Sequence, residues 1–145
     1  MKRRMFLCGL AAVGLTGCTE PVTHATASGK PEVVVSGRNS GWVKGKLVNS
    51  MLNRGYSISN DTGYTIAFDR PVQNAFAAAL LGSSYDSSPN TRVTFSTAEV
   101  SGGTRVVADL AVITNPGSAF ERRTAFNGHE DSVKIQQMLN DLAKS

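Results

Sequence analysis

Residues 91–114 read TRVTFSTAEVSGGTRVVADLAVIT, and this stretch decides the fold. In residues 91–100 apolar and polar side chains alternate, with Val93 and Phe95 on one face. Residues 105–114 form the most apolar segment and alternate in the same way. The Ser-Gly-Gly-Thr between them is typical of a tight hairpin turn. The stretch therefore predicts two paired antiparallel strands.

A strand and a helix are predicted ahead of this hairpin. Residues 32–36 contain three consecutive valines and predict a short strand. Apolar residues then recur every fourth position over residues 43–51, which predicts a helix capped by Asn39 or Ser40. Gly55 stands where a glycine commonly ends a helix.

A second hairpin and a second helix are predicted next. Residues 56–59 and 64–68 alternate on either side of a polar turn at 60–63. Pro71 fits the first turn of a helix that is closed by Gly82. The apolar positions of this helix are Val72, Phe76 and Leu80.

After the central hairpin we expect a last strand at about residues 119–126 and a last helix at about 130–143. The order βα, ββ, α, βββ, α predicts a two-layer α+β domain, with a mainly antiparallel sheet and the helices on one face. On element order, residues 32–143 resemble the helix-grip arrangement of some lipoproteins of the outer-membrane assembly machinery.

Strand alternation predicts which side chains lie on each face of the sheet. Those expected to face the helices are Tyr56, Ile58, Tyr64, Ile66, Phe68, Val93, Phe95, Val106, Leu110 and Val112. Those expected on the opposite face are Ser57, Ser59, Thr65, Ala67, Arg92, Thr94, Ser96, Val107, Asp109 and Ala111. Val107 and Ile113 add two aliphatic side chains to this second face, which is therefore either a solvated surface or a flat protein-contact surface.

The first 17 residues have the features of a secretory signal peptide. Lys2, Arg3 and Arg4 form a positive start, and an apolar run of eleven residues follows at 5–15. This run is too short for a transmembrane helix, which needs about 20 residues.

Leu15-Thr16-Gly17-Cys18 closes the leader and resembles the lipobox of bacterial lipoproteins. The resemblance implies cleavage before Cys18, diacylglycerol on its sulfur and an acyl chain such as palmitate on its amine, which together anchor the protein in a membrane. Thr19 in place of an aspartate implies the periplasmic side of the outer membrane. The alternative is an ordinary secretory signal with a chance cysteine.

The predicted organisation is a signal peptide at 1–17, a lipidated cysteine with a flexible tether at 18–31, and one domain at 32–145. The tether is polar and contains Pro21 and Gly29, so we expect it to be unstructured and to span about 20 Å.

Charge and cysteine content change on processing. The chain has 15 basic and 11 acidic side chains, a net charge of +4. Removing residues 1–17 leaves 12 basic against 11 acidic side chains, about +1. A basic patch for nucleic acid is therefore not expected. Cys8 leaves with the leader and Cys18 is acylated, so neither a disulfide nor a cysteine metal site is expected.

Few residues point to catalysis, and we expect no cofactor and no metal. His24 lies in the predicted tether, where it could not be held in a catalytic geometry. His129 beside Glu130 and Asp131 is either a metal or acid–base cluster or the start of a helix whose dipole the acidic residues complement. The serines lack a partner base.

Trp42, Asp61 and Asp69 have structural interpretations. Trp42 lies at a helix start, where packing is favoured over a role as a ligand platform. Asp61 is expected in a turn and Asp69 at a helix entry.

Two local features suggest contact surfaces. Tyr85 stands alone in the Ser- and Gly-rich loop at 82–90, a composition typical of adaptable binding loops, although the tyrosine could equally fold back on the domain. Arg122 and Arg123 alternate across the last strand, so one must point toward the helix side, which an edge position would explain.

Three function classes follow. We expect a membrane-anchored, non-enzymatic interaction or accessory module of a cell-envelope assembly, with an unidentified envelope protein as partner through Tyr85 and Val107. The alternative is a small-ligand or lipid-binding lipoprotein with an apolar cleft between the sheet and the last helix. An enzyme is the third class and has the fewest supporting residues.

Overall fold

The computed structural model describes residues 20–72 and 88–145, which form an α+β fold of one sheet with helices packed against it. The strands are β1 (Glu32–Ser36), β2 (Ser57–Asp61), β3 (Thr65–Pro71), β4 (Asn90–Val100), β5 (Gly103–Thr114) and β6 (Arg122–Ala125); the helices are α1 (Ser40–Leu52) and α2 (Glu130–Ala143). The predicted fold class is confirmed. Cys18, Tyr85 and most of the helix predicted between Pro71 and Gly82 lie outside the described residues.

The sheet is antiparallel throughout, in the order β1-β5-β4-β3-β2, and β6 also pairs with β5. β1 lies along residues 103–107 of β5 and β6 along residues 111–114. Between them, the Ala108 amide donates to the Pro31 carbonyl, and the Leu110 amide donates to Asn127 Oδ1. This side of β5 is therefore hydrogen-bonded along almost its whole length.

The edge position predicted for the last strand is confirmed. Arg123 pairs with Ile113 in the register, so its side chain lies on the face away from the helices, where it forms an ion pair with Asp109. Arg122 points to the other face and is exposed.

Helix α1 begins and ends where its sequence signals predict. The Asn39 side chain accepts a hydrogen bond from the Trp42 amide (2.9 Å) and caps α1. Gly55, with φ +79°, takes the left-handed conformation that lets the chain turn back into β2. In the described part of the chain no helix is both long and apolar enough to cross a membrane.

The core lies between the sheet and the two helices. Its largest fully buried side chains are Phe68, Phe95, Leu47, Met51, Ile66, Leu110, Leu139, Val35, Val43, Val93 and Val106. Leu110 faces the helices, as predicted, and Phe68 and Phe95 meet edge to face with ring centroids 5.9 Å apart.

Two predicted core residues are exposed. Ile58 is 47% exposed because β2 is the edge strand and a bulge shifts its register between Ile58 and Asn60. Tyr64 is 78% exposed because it precedes β3, in the turn at the end of the sheet. The alternation of apolar and polar residues predicts which face of the sheet a side chain lies on. It does not predict how far the helices that cover this face extend.

The ends of β2 and β3 also differ from prediction. Asn60 and Asp61 belong to β2 rather than to the turn. Pro71 does not open a helix, because it ends β3 and pairs with Asn90. Asp69 is consequently a buried strand residue and not a helix-entry residue.

Candidate functional site

The face of the sheet away from the helices, called the outer face here, carries the predicted contact residue Val107. In the register Val107 lies between Glu32 of β1 and Ser96 of β4, and it is partly exposed. Val34, diagonal to Val107 on β1, is 46% exposed and lies beside Arg105. Val34 is a contact residue that the predicted strand faces did not include, although the alternation of β1, with Val35 buried, is a signal that places it on this face.

An ion pair between Arg105 and Glu32 lies next to the two valines. Arg105 Nε donates to Glu32 Oε1 at 2.7 Å, and the Ser28 amide donates to the other oxygen at 3.0 Å. These hydrogen bonds, led by that from Arg105, lower the pKa of Glu32 from 4.5 to about 2. Glu32 therefore stays ionised, and its charge is already neutralised within the chain.

A second ion pair lies further along the outer face. Arg92 donates to both carboxylate oxygens of Asp69 at 2.7 Å and to Glu121 at 3.1 Å. The fork-shaped contact with Asp69 raises the pKa of Arg92, and the Ser59 hydroxyl adds a hydrogen bond to Asp69 at 3.0 Å. This cluster ties β2, β3, β4 and the loop before β6 together.

Asp109 is the third charged position on the outer face. It contacts Lys30 at 2.8 Å, accepts from Asn127 at 2.8 Å and pairs with Arg123. Its partners come from the segment before β1, from β6 and from the connection to α2. Asp109 therefore fixes the flanks of the sheet instead of presenting a free carboxylate.

The outer face was expected to be either a solvated surface or a flat protein-contact surface. Solvent does not reach all of it. Ala111 and Ile113, on the half of β5 nearer β6, are 1% and 0% exposed, whereas Val107 is partly open. The accessible area therefore lies around Val34 and Val107. Small side chains surround it: Thr94, Ser96 and Ala98.

His24 is held in place, contrary to expectation. Its Nε2 lies 2.8 Å from Oγ of Ser132, a fully buried residue in the first turn of α2. The Ser132 hydroxyl donates to the His129 carbonyl at 2.7 Å, so the His24 ring must supply the proton of its own contact with Ser132. The contact joins the segment that precedes β1 to the first turn of α2.

The rest of the predicted tether, within the described residues, also touches the domain. The Val22 amide donates to the Gly128 carbonyl at 2.9 Å, and the Ser28 amide donates to the Glu32 carboxylate at 3.0 Å. The domain boundary at residue 32 stays a prediction.

His129 caps a helix. Its Nδ1 accepts from the Asp131 amide at 3.2 Å, and its ring stacks on Phe126 with centroids 4.2 Å apart. Glu130 and Asp131 occupy the first turn of α2, where they complement the helix dipole. Across residues 20–72 and 88–145, the structure brings together no group of three His, Cys, Asp or Glu side chains that could hold a metal ion.

The described residues form two clefts that bear on a ligand-binding function. One, of about 540 Å³, is lined by Ser40, Gly63, Tyr64, Thr97, Ala98 and Glu99. The other, of about 210 Å³, lies between α1 and α2 and includes Lys46, Arg54, Asp141 and Leu142. Both linings are mixed in polarity, and neither is the apolar cleft between the sheet and the last helix that a lipid-binding function predicts.

No protein-family model, curated protein or solved structure matches this chain.

Proposed function

We propose that this protein is a lipid-anchored lipoprotein that acts as a non-enzymatic interaction module of a cell-envelope assembly. Cys18 would carry the anchor, on the periplasmic side of the outer membrane, and the outer face would bind an envelope protein. The observation that supports this most is the arrangement around Val107. Two accessible valines, Val34 and Val107, lie beside Arg105 and Glu32, whose charges already neutralise each other within the chain.

The physical argument rests on desolvation. Burying an unpaired charge in an interface costs several kcal/mol, but Glu32 and Arg105 enter an interface already paired at 2.7 Å. The adjacent Val34 and Val107 then contribute apolar area, at about 25 cal/mol per Å². A flat sheet face of this kind suits a protein surface better than a small molecule, which needs a concave site.

Crosslinking in intact cells tests the proposal. A photoreactive residue at position 107 should capture a specific envelope protein, and position 85, the second predicted contact, should capture the same one. Position 133 on α2 serves as the control, because Val133 is a partly exposed valine (38%) in the helix layer. Capture of bulk lipid or of nothing at position 107 would count against a protein-binding outer face.

A small-ligand function is the second candidate, and the cleft of about 540 Å³ beside Tyr64 favours it. A ligand there would contact the exposed tyrosine ring and the Glu99 carboxylate. Protection of Tyr64 from chemical modification by a periplasmic extract of small molecules would support this candidate.

A further inference from the structure

Helix α1 and its flanks carry positive charge only. Residues 38–54 contain Arg38, Lys44, Lys46 and Arg54 and no aspartate or glutamate. Lys44 forms an ion pair with Asp61 of β2, whereas Arg38, Lys46 and Arg54 are exposed. With residues 1–17 removed as proposed, the remaining chain has a net charge of about +1, so acidic residues elsewhere balance this local positive charge.

An aromatic ring lies within this charged surface. The guanidinium of Arg38 lies 4.4 Å and the ammonium of Lys46 5.2 Å from the ring centre of Trp42, which packs only partly against the core. Leu52, near the end of the same helix, is 50% exposed. We call Arg38, Trp42, Lys46 and Arg54 the α1 basic face.

The chain leading to Cys18 is attached close to this layer. Val22 is hydrogen-bonded to Gly128, and His24 to the first turn of α2, so Cys18 lies only four positions along the chain from a fixed point. Four residues span at most about 14 Å, less than the flexible tether predicted from composition. α1 lies beside α2, since the two helices line a common cleft.

From these observations we propose that the α1 basic face rests on an anionic phospholipid surface when the protein is anchored. The inference depends on the proposed lipidation of Cys18. Basic side chains are attracted to anionic headgroups, and tryptophan is favoured at the interface between headgroups and acyl chains. In this orientation the helix layer faces the bilayer, and the outer face around Val107 points away from it toward a partner.

Trp42 is the only tryptophan of the chain, so its fluorescence reports on this face directly. The full lipidated protein is reconstituted into vesicles of phosphatidylcholine alone, or of phosphatidylcholine and phosphatidylglycerol in equal parts, with brominated acyl chains as quencher. We expect strong quenching of Trp42 in the mixed vesicles, little in phosphatidylcholine alone, and loss of the difference at high salt.

The double variant Lys46→Gln, Arg54→Gln should lower the ratio of docked to undocked domain about twenty-five-fold, or about fivefold for each charge. The control Arg122→Gln, Arg123→Gln removes the same net charge from β6, and it should leave quenching unchanged. Each variant is compared with itself in the two lipids, so a direct effect of Lys46 on the ring cancels.

Equal quenching in both lipids, or an equal loss in the control, would overturn the inference. Absence of quenching in mixed vesicles that still carry the protein would also overturn it, leaving the anchor intact and pointing to an acidic protein surface as the occupant. Failure of the protein to float with either kind of vesicle would contradict the proposed anchor itself and, with it, this orientation.

Discussion

His24 Nε2 lies 2.8 Å from Oγ of Ser132, which joins the segment before the domain to the first turn of α2 across 108 positions of sequence. Ser132 is fully buried, and its hydroxyl donates a hydrogen bond to the His129 carbonyl. The contact therefore links the incoming chain, the cap of α2 and the packed interior.

Removing the His24 side chain should release this segment while leaving the domain folded. In His24→Ala we expect faster amide exchange over residues 22–28 and a loss of about 0.5–1.5 kcal/mol in the free energy of unfolding, the net contribution of one such hydrogen bond. Thr23→Ala, at the exposed neighbouring position, is the control and should change neither. Exchange as slow in His24→Ala as in wild type would show that the ring does not hold the segment.

The second prediction tests the register of the central hairpin. Leu110 is fully buried under the helices, and Leu110→Ala should lower the free energy of unfolding by about 2–5 kcal/mol, because it leaves a cavity. Thr94→Ala, on the outer face of the adjacent strand, should change it by far less. Denaturant unfolding of both variants measures the contrast, and similar losses would mean that the strand faces are exchanged.

Glu32 should make stability depend on acid pH. Its pKa is about 2 in the folded protein and 4.5 ordinarily, so its contribution is fully present above pH 4.5 and is lost as the pH falls toward 2. Glu32→Gln should therefore be less stable than wild type at neutral pH, by roughly 0.2–1 kcal/mol, the usual contribution of an ion pair that solvent screens. The difference should shrink steadily below pH 4.5. Chemical unfolding across this range measures it; a difference that does not vary with pH would mean that the lost interaction is not ionic.

The outer face supplies the fourth prediction. Val107→Asp places a carboxylate beside Glu32 and should weaken co-purification of the envelope partner at least tenfold, since the new charge must be desolvated in the interface. Val133→Asp, the same substitution on α2, is the control and should retain the partner. Thermal melting of both variants separates lost binding from lost folding. If both variants retained the partner equally, the outer face would not be the binding surface.

Much of the fold follows from periodicity. The 91–114 hairpin and both described helices form where alternation and four-residue spacing predict them, because these patterns are local consequences of one-sided burial. The exposure of Tyr64 and the burial of Ile113 cannot be predicted from periodicity. Both depend on how much of each sheet face is covered by other parts of the chain.

The candidate site was less predictable than the fold. Val107 was identified because it is an aliphatic residue on the predicted outer strand face. The ion pairs of Glu32 with Arg105 and of Asp69 with Arg92 require the register between strands distant in sequence, which composition does not contain. The docking of His24 likewise depends on a partner 108 residues away, whereas the polar composition of its segment predicted a free tether.

Metabolic labelling with an alkyne fatty acid tests the central claim, that Cys18 anchors this protein in a membrane. Wild type and Cys8→Ser, which removes the only other cysteine of the chain, should both incorporate the label and float with membranes. Cys18→Ser should incorporate none and should be recovered unprocessed or in the soluble fraction. Unchanged labelling of Cys18→Ser would contradict the account.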